Sequence, residues 1–264
     1  MATKIDWCDE TLNPLGHWCL GPTGTKAEPK PCSYCYAQKL AKRKMVKCPL
    51  CHDFRTPHTH FEQLEKLEHW KKMRSIFIQS MGDLFHDAVP DEWLEEVFKM
   101  CGAVPQHRYL FLTKNPRRYG SDIFSKIYEK IISPAKQDPS PAKYWIGTTI
   151  CTSADLHRLK ELALLSAKQN IGRFISIEPL QEKIDLLDET LGNAFSCIDW
   201  VIVGAESGER REKILHKREW VEKIVKVCIE NDVPVFLKKN IAPYWDGKLI
   251  TDLPWEEDYK CFLN

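Results

Sequence analysis

Long apolar runs are absent from this chain. No uninterrupted stretch approaches the roughly 18 residues that would read as a bilayer span, so no transmembrane helix is expected. The opening MATKIDWCDE lacks the apolar core of a secretory leader, and a cytoplasmic protein is the expectation. A charge excess is missing as well, since 38 Lys and Arg face 37 Asp and Glu. No broad field advertises nucleic acid or an anionic membrane, while a local basic cleft stays open. No glycine-rich phosphate fingerprint follows the first strand-like segment, which counts against a Rossmann dinucleotide site. Repeats, low-complexity tracts and composition shifts are lacking too, so the 264 residues are expected to form one domain.

Cysteine, by contrast, is abundant. Eleven thiols without an export signal point to metal or catalysis rather than disulfides. Cys101, Cys151, Cys197 and Cys228 sit singly in or beside apolar stretches and read as small core residues.

From residue 75 onward, short apolar runs alternate with helical patterns. SIFIQSM, RYLFLTK, YWIGTTI, RFISIEPL, DWVIVGAES and VPVFLKK read as strands buried on both faces. EWLEEVFKMC places Trp93, Leu94, Val97, Phe98 and Cys101 on one helical stripe; REWVEKIVKVCIEND does the same with Trp220, Val221, Ile224, Val225 and Cys228. With a further strand near LNPLGHWC, about seven strands are expected. The pattern predicts a single parallel α/β fold, a (β/α) barrel that is incomplete; an open doubly wound sheet is the competitor. SPAKQDPSPAK, residues 133–143, reads as a loop within the domain.

Parallel α/β folds bind ligands at the C-terminal ends of their strands. Here those ends carry Cys19; Ser80, Gly82 and Asp83; Thr113, Lys114 and Asn115; Thr148 and Thr149; Glu178; Gly204, Glu206 and Ser207; and Lys238 and Lys239. Each has a plainer reading. Asp83 serves equally as a helix cap. Glu178 serves as the ion-pair partner of an arginine across the barrel, Glu206 as a turn residue, and Lys114, Arg117 and Arg118 as a solvated rim. Lys238 closes an apolar strand, and a partly buried lysine needs an anion nearby.

Cys19, Cys32 and Cys35 form the first thiol group. Three thiolates suit three irons of a cubane cluster, leaving the fourth iron open for a small molecule; a closed structural site normally takes four protein ligands. Spacing alone is compatible with an iron–sulfur cluster, with zinc or with no metal.

KIDWCDETLNPLGHWC and PCSYCYAQKLAKR, with FIQSMGDLFHDAVP, FLTKNPRR, ISIEPL and IDWVIVGAESG, together resemble a phage-associated three-cysteine-motif family related to the radical S-adenosylmethionine (SAM) enzymes. Radical SAM enzymes usually separate their cysteines by three residues and then two; here the gaps are twelve and two, and GPTGTKAEPK reads as an insertion. The resemblance implies a [4Fe–4S] cluster on Cys19, Cys32 and Cys35. Tyr34 would pack by the adenine, Ser80, Gly82 and Asp83 would meet the methionine amine, and Thr148 and Thr149 would reach the ribose. Glu178 or Glu206 would take the remaining polar groups, and Lys114 and Lys238 an anionic substrate. It further implies reductive cleavage of SAM to a 5′-deoxyadenosyl radical, hydrogen abstraction, and a reductant protein of flavodoxin or ferredoxin type. The barrel motifs also resemble those of spore photoproduct lyase, which implies a nucleic-acid modification or repair enzyme; the near-neutral charge gives that no basic footprint.

A second thiol group lies in KCPLCHDFRTPHTH, within a Cys/His-rich insertion at about 42–62. Cys48 and Cys51 resemble half of a zinc site that recruits His58 or His60, or Cys8. The sharpest rival joins Cys32, Cys35, Cys48 and Cys51 around one zinc ion and leaves Cys19 spare. That reading makes the chain a zinc-stabilised binding or structural protein of a phage or mobile element.

Overall fold

The computed structural model describes residues 5–43, 46–134, 142–165, 170–206 and 217–256. Ser207 and residues 135–141 of the proline-rich segment lie outside them. Seven parallel strands follow one another in chain order, one fewer than in a closed eight-stranded barrel. This is the incomplete parallel β/α architecture that the alternation predicted. Two compact units divide the chain, residues 1–139 and 140–264.

In the first unit β1 (Glu10–Leu12), β2 (Ser75–Ile78) and β3 (Arg108–Thr113) pair in parallel, with Leu12 opposite Ile78 and Ile78 opposite Phe111. The opening strand thus ends at Leu12, seven residues before Cys19 rather than at it. LNPLGHWC instead continues as irregular chain, because Gly16 takes a left-handed conformation, φ +66°, that breaks extension. Short helices α1 (Tyr36–Ala41), α2 (Pro49–Asp53) and α3 (Lys66–His69) follow before β2.

Helix α4 (Asp91–Ala103) begins after Pro90 with Asp91 and Glu92 in its first turn, where carboxylates favour the helix dipole. Its stripe buries Leu94, Val97, Phe98 and Cys101, while Trp93 is only half-buried. The Phe98 ring stacks on Phe111 with centroids 4.4 Å apart and meets Phe85 and Phe124 edge-on. Helix α5 (Asp122–Ile127) starts at Ser121, whose hydroxyl accepts from the Phe124 N–H.

In the second unit β4 (Tyr144–Thr149), β5 (Ile171–Ile177), β6 (Trp200–Val203) and β7 (Val235–Leu237) pair in parallel, and every one of their residues is buried. Helix α6 (His157–Ala163) buries Leu159 and Leu162. Helix α7 (Arg218–Glu230) buries Val221, Ile224, Val225, Val227 and Cys228. Of the four thiols read as core, Cys101, Cys151 and Cys228 are buried; Cys197 is only half-buried, at the end of a one-turn helix beside the surface. No helix of the described residues is long and apolar enough to cross a membrane.

Phe98→Ala removes the ring at the centre of the first unit's aromatic cluster. It is expected to cost about 3–5 kcal/mol, read as a lower denaturant midpoint in equilibrium unfolding.

Candidate functional site

The exit of β2 organises the first unit's polar residues. Gln79, 2% exposed, takes a left-handed conformation, φ +68°. Its side-chain oxygen accepts from the Leu15 N–H (3.0 Å) and its amide donates to the Gly16 carbonyl (2.8 Å). Asn13 works in the opposite direction, its oxygen accepting from Met81 N–H (2.8 Å) and from the Ser80 hydroxyl (3.3 Å). At Gly82 a Cβ would lie 2.4 Å from the Trp18 carbonyl oxygen, so only glycine lets this turn meet the chain immediately before Cys19.

Cys19, Cys32 and Cys35 come together despite their uneven spacing. Residues 21–30 close on themselves, with the Lys30 N–H bonded to the Leu20 carbonyl at 2.7 Å. The insertion therefore returns the chain to its starting point, and the long gap to Cys32 is short in space. Cys35 caps α1, its sulfur accepting from the Gln38 N–H, and the Cys19 sulfur accepts from the Gly21 N–H. Both thiols pack against one apolar cluster of Ala37, Ala41, Phe54 and Met81. Burial pushes Cys19 up to about 12, the nearby Asp83 carboxylate adding to the shift, and burial likewise raises Cys35. The Cys32 charge acts on Cys35, and Cys35 on Cys19.

Asp83 is not a helix cap. One carboxylate oxygen accepts from Phe85 N–H (3.0 Å) and the Thr113 hydroxyl (2.7 Å), the other from Lys114 N–H (3.0 Å), tying the ends of β2 and β3 together. The Lys114 ammonium lies 5.8 Å from the Tyr34 ring centroid and favours the thiolate forms of Cys19 and Cys35. The Tyr36 hydroxyl donates to the Ser80 carbonyl (2.5 Å), joining α1 to the β2 exit. Arg118 is not part of a solvated rim. It is 9% exposed, donates to the His86 and Val89 carbonyls and pairs with Asp91.

In the second unit the predicted residues fall into two groups. Glu178 and Lys238 form an ion pair at the ends of β5 and β7, so the anion that Lys238 required is Glu178. Gly204, at the end of β6, makes room for both, since a Cβ there would lie 3.0 Å from the Lys238 chain and 3.3 Å from Glu178. Thr148 and Thr149 are buried within β4, and Glu206 is buried after β6. Asn240 holds that turn by bonding both backbone groups of Ala205.

Cys48 and Cys51 gather with His58 and His60, not with Cys32 and Cys35. Among the described residues these four ligand atoms lie within 4.8 Å of one another. The tetrathiolate rival is thereby overturned: the turn at Phe54 (φ 64°) folds 55–60 back over α2 and supplies two imidazoles instead. The Cys51 backbone N–H holds the Cys48 thiol down at about 7, whereas burial pushes Cys51 up to about 11.

Asn13, Gln79, Tyr36 and Asn240 escaped sequence reasoning. A polar residue directly after an apolar strand run, as in SIFIQ, is the one signal that marks Gln79. Gln79→Ala leaves the Leu15 N–H and the Gly16 carbonyl without partners in a buried turn. The expected loss is on the order of 2–4 kcal/mol for the two groups, measured by denaturant unfolding.

None of the curated proteins matches this chain. Two solved structures are similar to it at low identity. One is a cysteine-to-alanine mutant of spore photoproduct lyase with dinucleoside spore photoproduct, 13% identical, TM-score 0.46, covering 76% of this chain and 57% of that one. The other is spore photoproduct lyase complexed with dinucleoside spore photoproduct, 11% identical, TM-score 0.43, covering 76% and 58%. The chain thus spans under two thirds of either protein. A family model matches residues 2–246, nearly the whole length, and the chain belongs to that family, described as Protein of unknown function (DUF5131).

Proposed function

We propose that this chain is a radical SAM-type iron–sulfur enzyme, with Cys19, Cys32 and Cys35 as the three protein ligands of a [4Fe–4S] cluster. The observation that carries the reading is the closed 21–30 loop. It brings Cys19 back beside the Cys32–Cys35 turn, with Cys19 and Cys35 against one apolar cluster. The donor chemistry fits. Three thiols of one local environment leave one iron of a cubane without a protein ligand, and backbone N–H groups already point at two of the sulfurs. Held there with SAM, such a cluster would pass one electron from an external reductant to the sulfonium, the chemistry that yields a 5′-deoxyadenosyl radical for hydrogen abstraction.

This chain's own residues perform positioning and charge compensation. Burial keeps Cys19 and Cys35 protonated until metal displaces the protons, so binding of the cluster is coupled to proton release. Lys114 offsets the thiolate charge and rests against Tyr34, which is the proposed adenine neighbour. Asp83 locks the β2 and β3 ends that present Ser80 and Gly82, and its acceptor capacity suits the methionine ammonium. Thr148, Thr149, Glu178 and Glu206 are proposed as further cofactor-binding residues on the ground of the sequence resemblance alone. Lys238, neutralised by Glu178, is a substrate contact only if an anionic group displaces that carboxylate.

Anaerobic reconstitution with iron and sulfide is expected to give a brown protein, and dithionite with SAM is expected to release 5′-deoxyadenosine. Cys19→Ala should abolish assembly of the intact cube, read by iron and acid-labile sulfide content and by electron paramagnetic resonance. A variant that still builds the cube removes Cys19 from the ligand set. A fully loaded, SAM-binding protein that makes no 5′-deoxyadenosine removes the proposed chemistry.

A further inference from the structure

The strongest feature that the proposed chemistry does not use is the cluster at α2. We propose that Cys48, Cys51, His58 and His60 form a closed, tetrahedral structural zinc site that clamps residues 46–62 onto the segment leading to Cys19. The sulfur of Cys51 lies 3.1 Å from His58 Nε2 and 3.5 Å from His60 Nε2, and the sulfur of Cys48 lies 3.9 Å from His58 Nε2. A tetrahedral zinc with bonds of about 2.0–2.3 Å sets its ligand atoms about 3.3–3.8 Å apart, so the four donors stand close to the required separations.

Both imidazoles are already turned for metal. His58 Nδ1–H donates to the Thr56 carbonyl at 2.8 Å; a carbonyl only accepts, so Nδ1 carries the proton and Nε2 presents its lone pair to the thiols. His60 Nδ1–H donates to the Glu62 carboxylate, also at 2.8 Å, the carboxylate–histidine arrangement that raises ligand basicity at zinc centres. The Cys51 sulfur accepts from the His17 N–H at 3.3 Å. Two sulfur and two nitrogen donors on one centre select zinc over calcium or magnesium, which prefer oxygen.

The clamp is visible in what the cluster touches. A Cβ on Gly16 would lie 2.3 Å from His58 Nε2, and Gly16 is held at φ +66°. Only a glycine admits the imidazole there. The His60 N–H bonds the Pro14 carbonyl (2.6 Å), and the Cys19 N–H bonds the Phe54 carbonyl (3.2 Å). Metal at α2 therefore fixes Pro14, Gly16, His17 and Cys19 from one side, as Gln79 does from the other. The zinc site itself stands without the iron–sulfur reading; its effect on Cys19 as a cluster ligand rests on that reading.

The test uses the full chain with Cys19, Cys32 and Cys35 all changed to Ala, so that iron–sulfur chemistry plays no part. Cobalt(II) added anaerobically is expected to bind at one equivalent with strong tetrahedral d–d bands and sulfur-to-cobalt charge transfer, and zinc should displace it. Adding Cys48→Ser should weaken and shift those bands. Glu62→Gln should keep the bands and lower cobalt affinity about tenfold or more. Zinc loading should raise the unfolding temperature, as a ligand bound only to the folded state must. Weak octahedral absorption, bands indifferent to Cys48→Ser, or an unchanged unfolding temperature would overturn the proposal. Should the triple variant fail to fold, zinc content of the native chain and its Cys48→Ser form decides. One equivalent that drops by at least half supports the site, and absent or unchanged zinc refutes it.

Discussion

The buried amide of Gln79 is the constraint on which the placement of the first unit's cysteines depends. A non-glycine residue at φ +68° pays a steric cost of order 1 kcal/mol or more, so it persists only where its surroundings over-determine it. Here the side chain supplies the missing partners of Leu15 and Gly16, two backbone groups of an irregular segment with no strand neighbours. That single bridge fixes where the chain leaves β1 and hence where Trp18 and Cys19 arrive. It also holds Gly16, against which His58 packs. Removing it would loosen both thiol groups together.

The two groups of thiols differ in completeness as ligand sets. The one at α2 has four donors, each imidazole braced through its other nitrogen, and nothing in its ligand set is left open for a substrate. The one between Leu20 and α1 has three donors, two of them half-buried against apolar side chains beside an aspartate and a lysine. A closed set is suited to holding backbone in place, and an open one to chemistry. Their residues do not overlap, so the proposed stabilising metal and the proposed cluster are complementary rather than competing readings.

Local charge, not net charge, shapes the strand ends. The chain's formal charge of +1 conceals paired groups placed where strands stop. Asp83 accepts from Phe85, Thr113 and Lys114, and Glu178 is matched to Lys238 across Gly204. Such pairing keeps buried ions tolerable and holds polar atoms in fixed directions.

The fold was largely legible in the sequence, because strands buried on both faces are written as unbroken apolar runs and helices as one-sided stripes. Phe98 and Ile224 lie where periodicity put them. The three thiols of the candidate cluster and the Cys48–His60 group were likewise visible as residue types close in the chain. Partnership was not. Whether Cys48 joins Cys32 or His58 depends on the left-handed turn at Phe54, and the twelve-residue gap before Cys32 shrinks only because Lys30 bonds Leu20. Likewise Glu178 meets Lys238, and Gln79 meets Gly16, across 60 and 63 positions of sequence. The sequence by itself determined the alternation of elements and the stock of ligands, since both follow from local hydrophobic pattern and side-chain chemistry. Tertiary structure alone decided which ligands share a centre, because that is set by backbone hydrogen bonds and close glycine contacts between segments far apart in the chain.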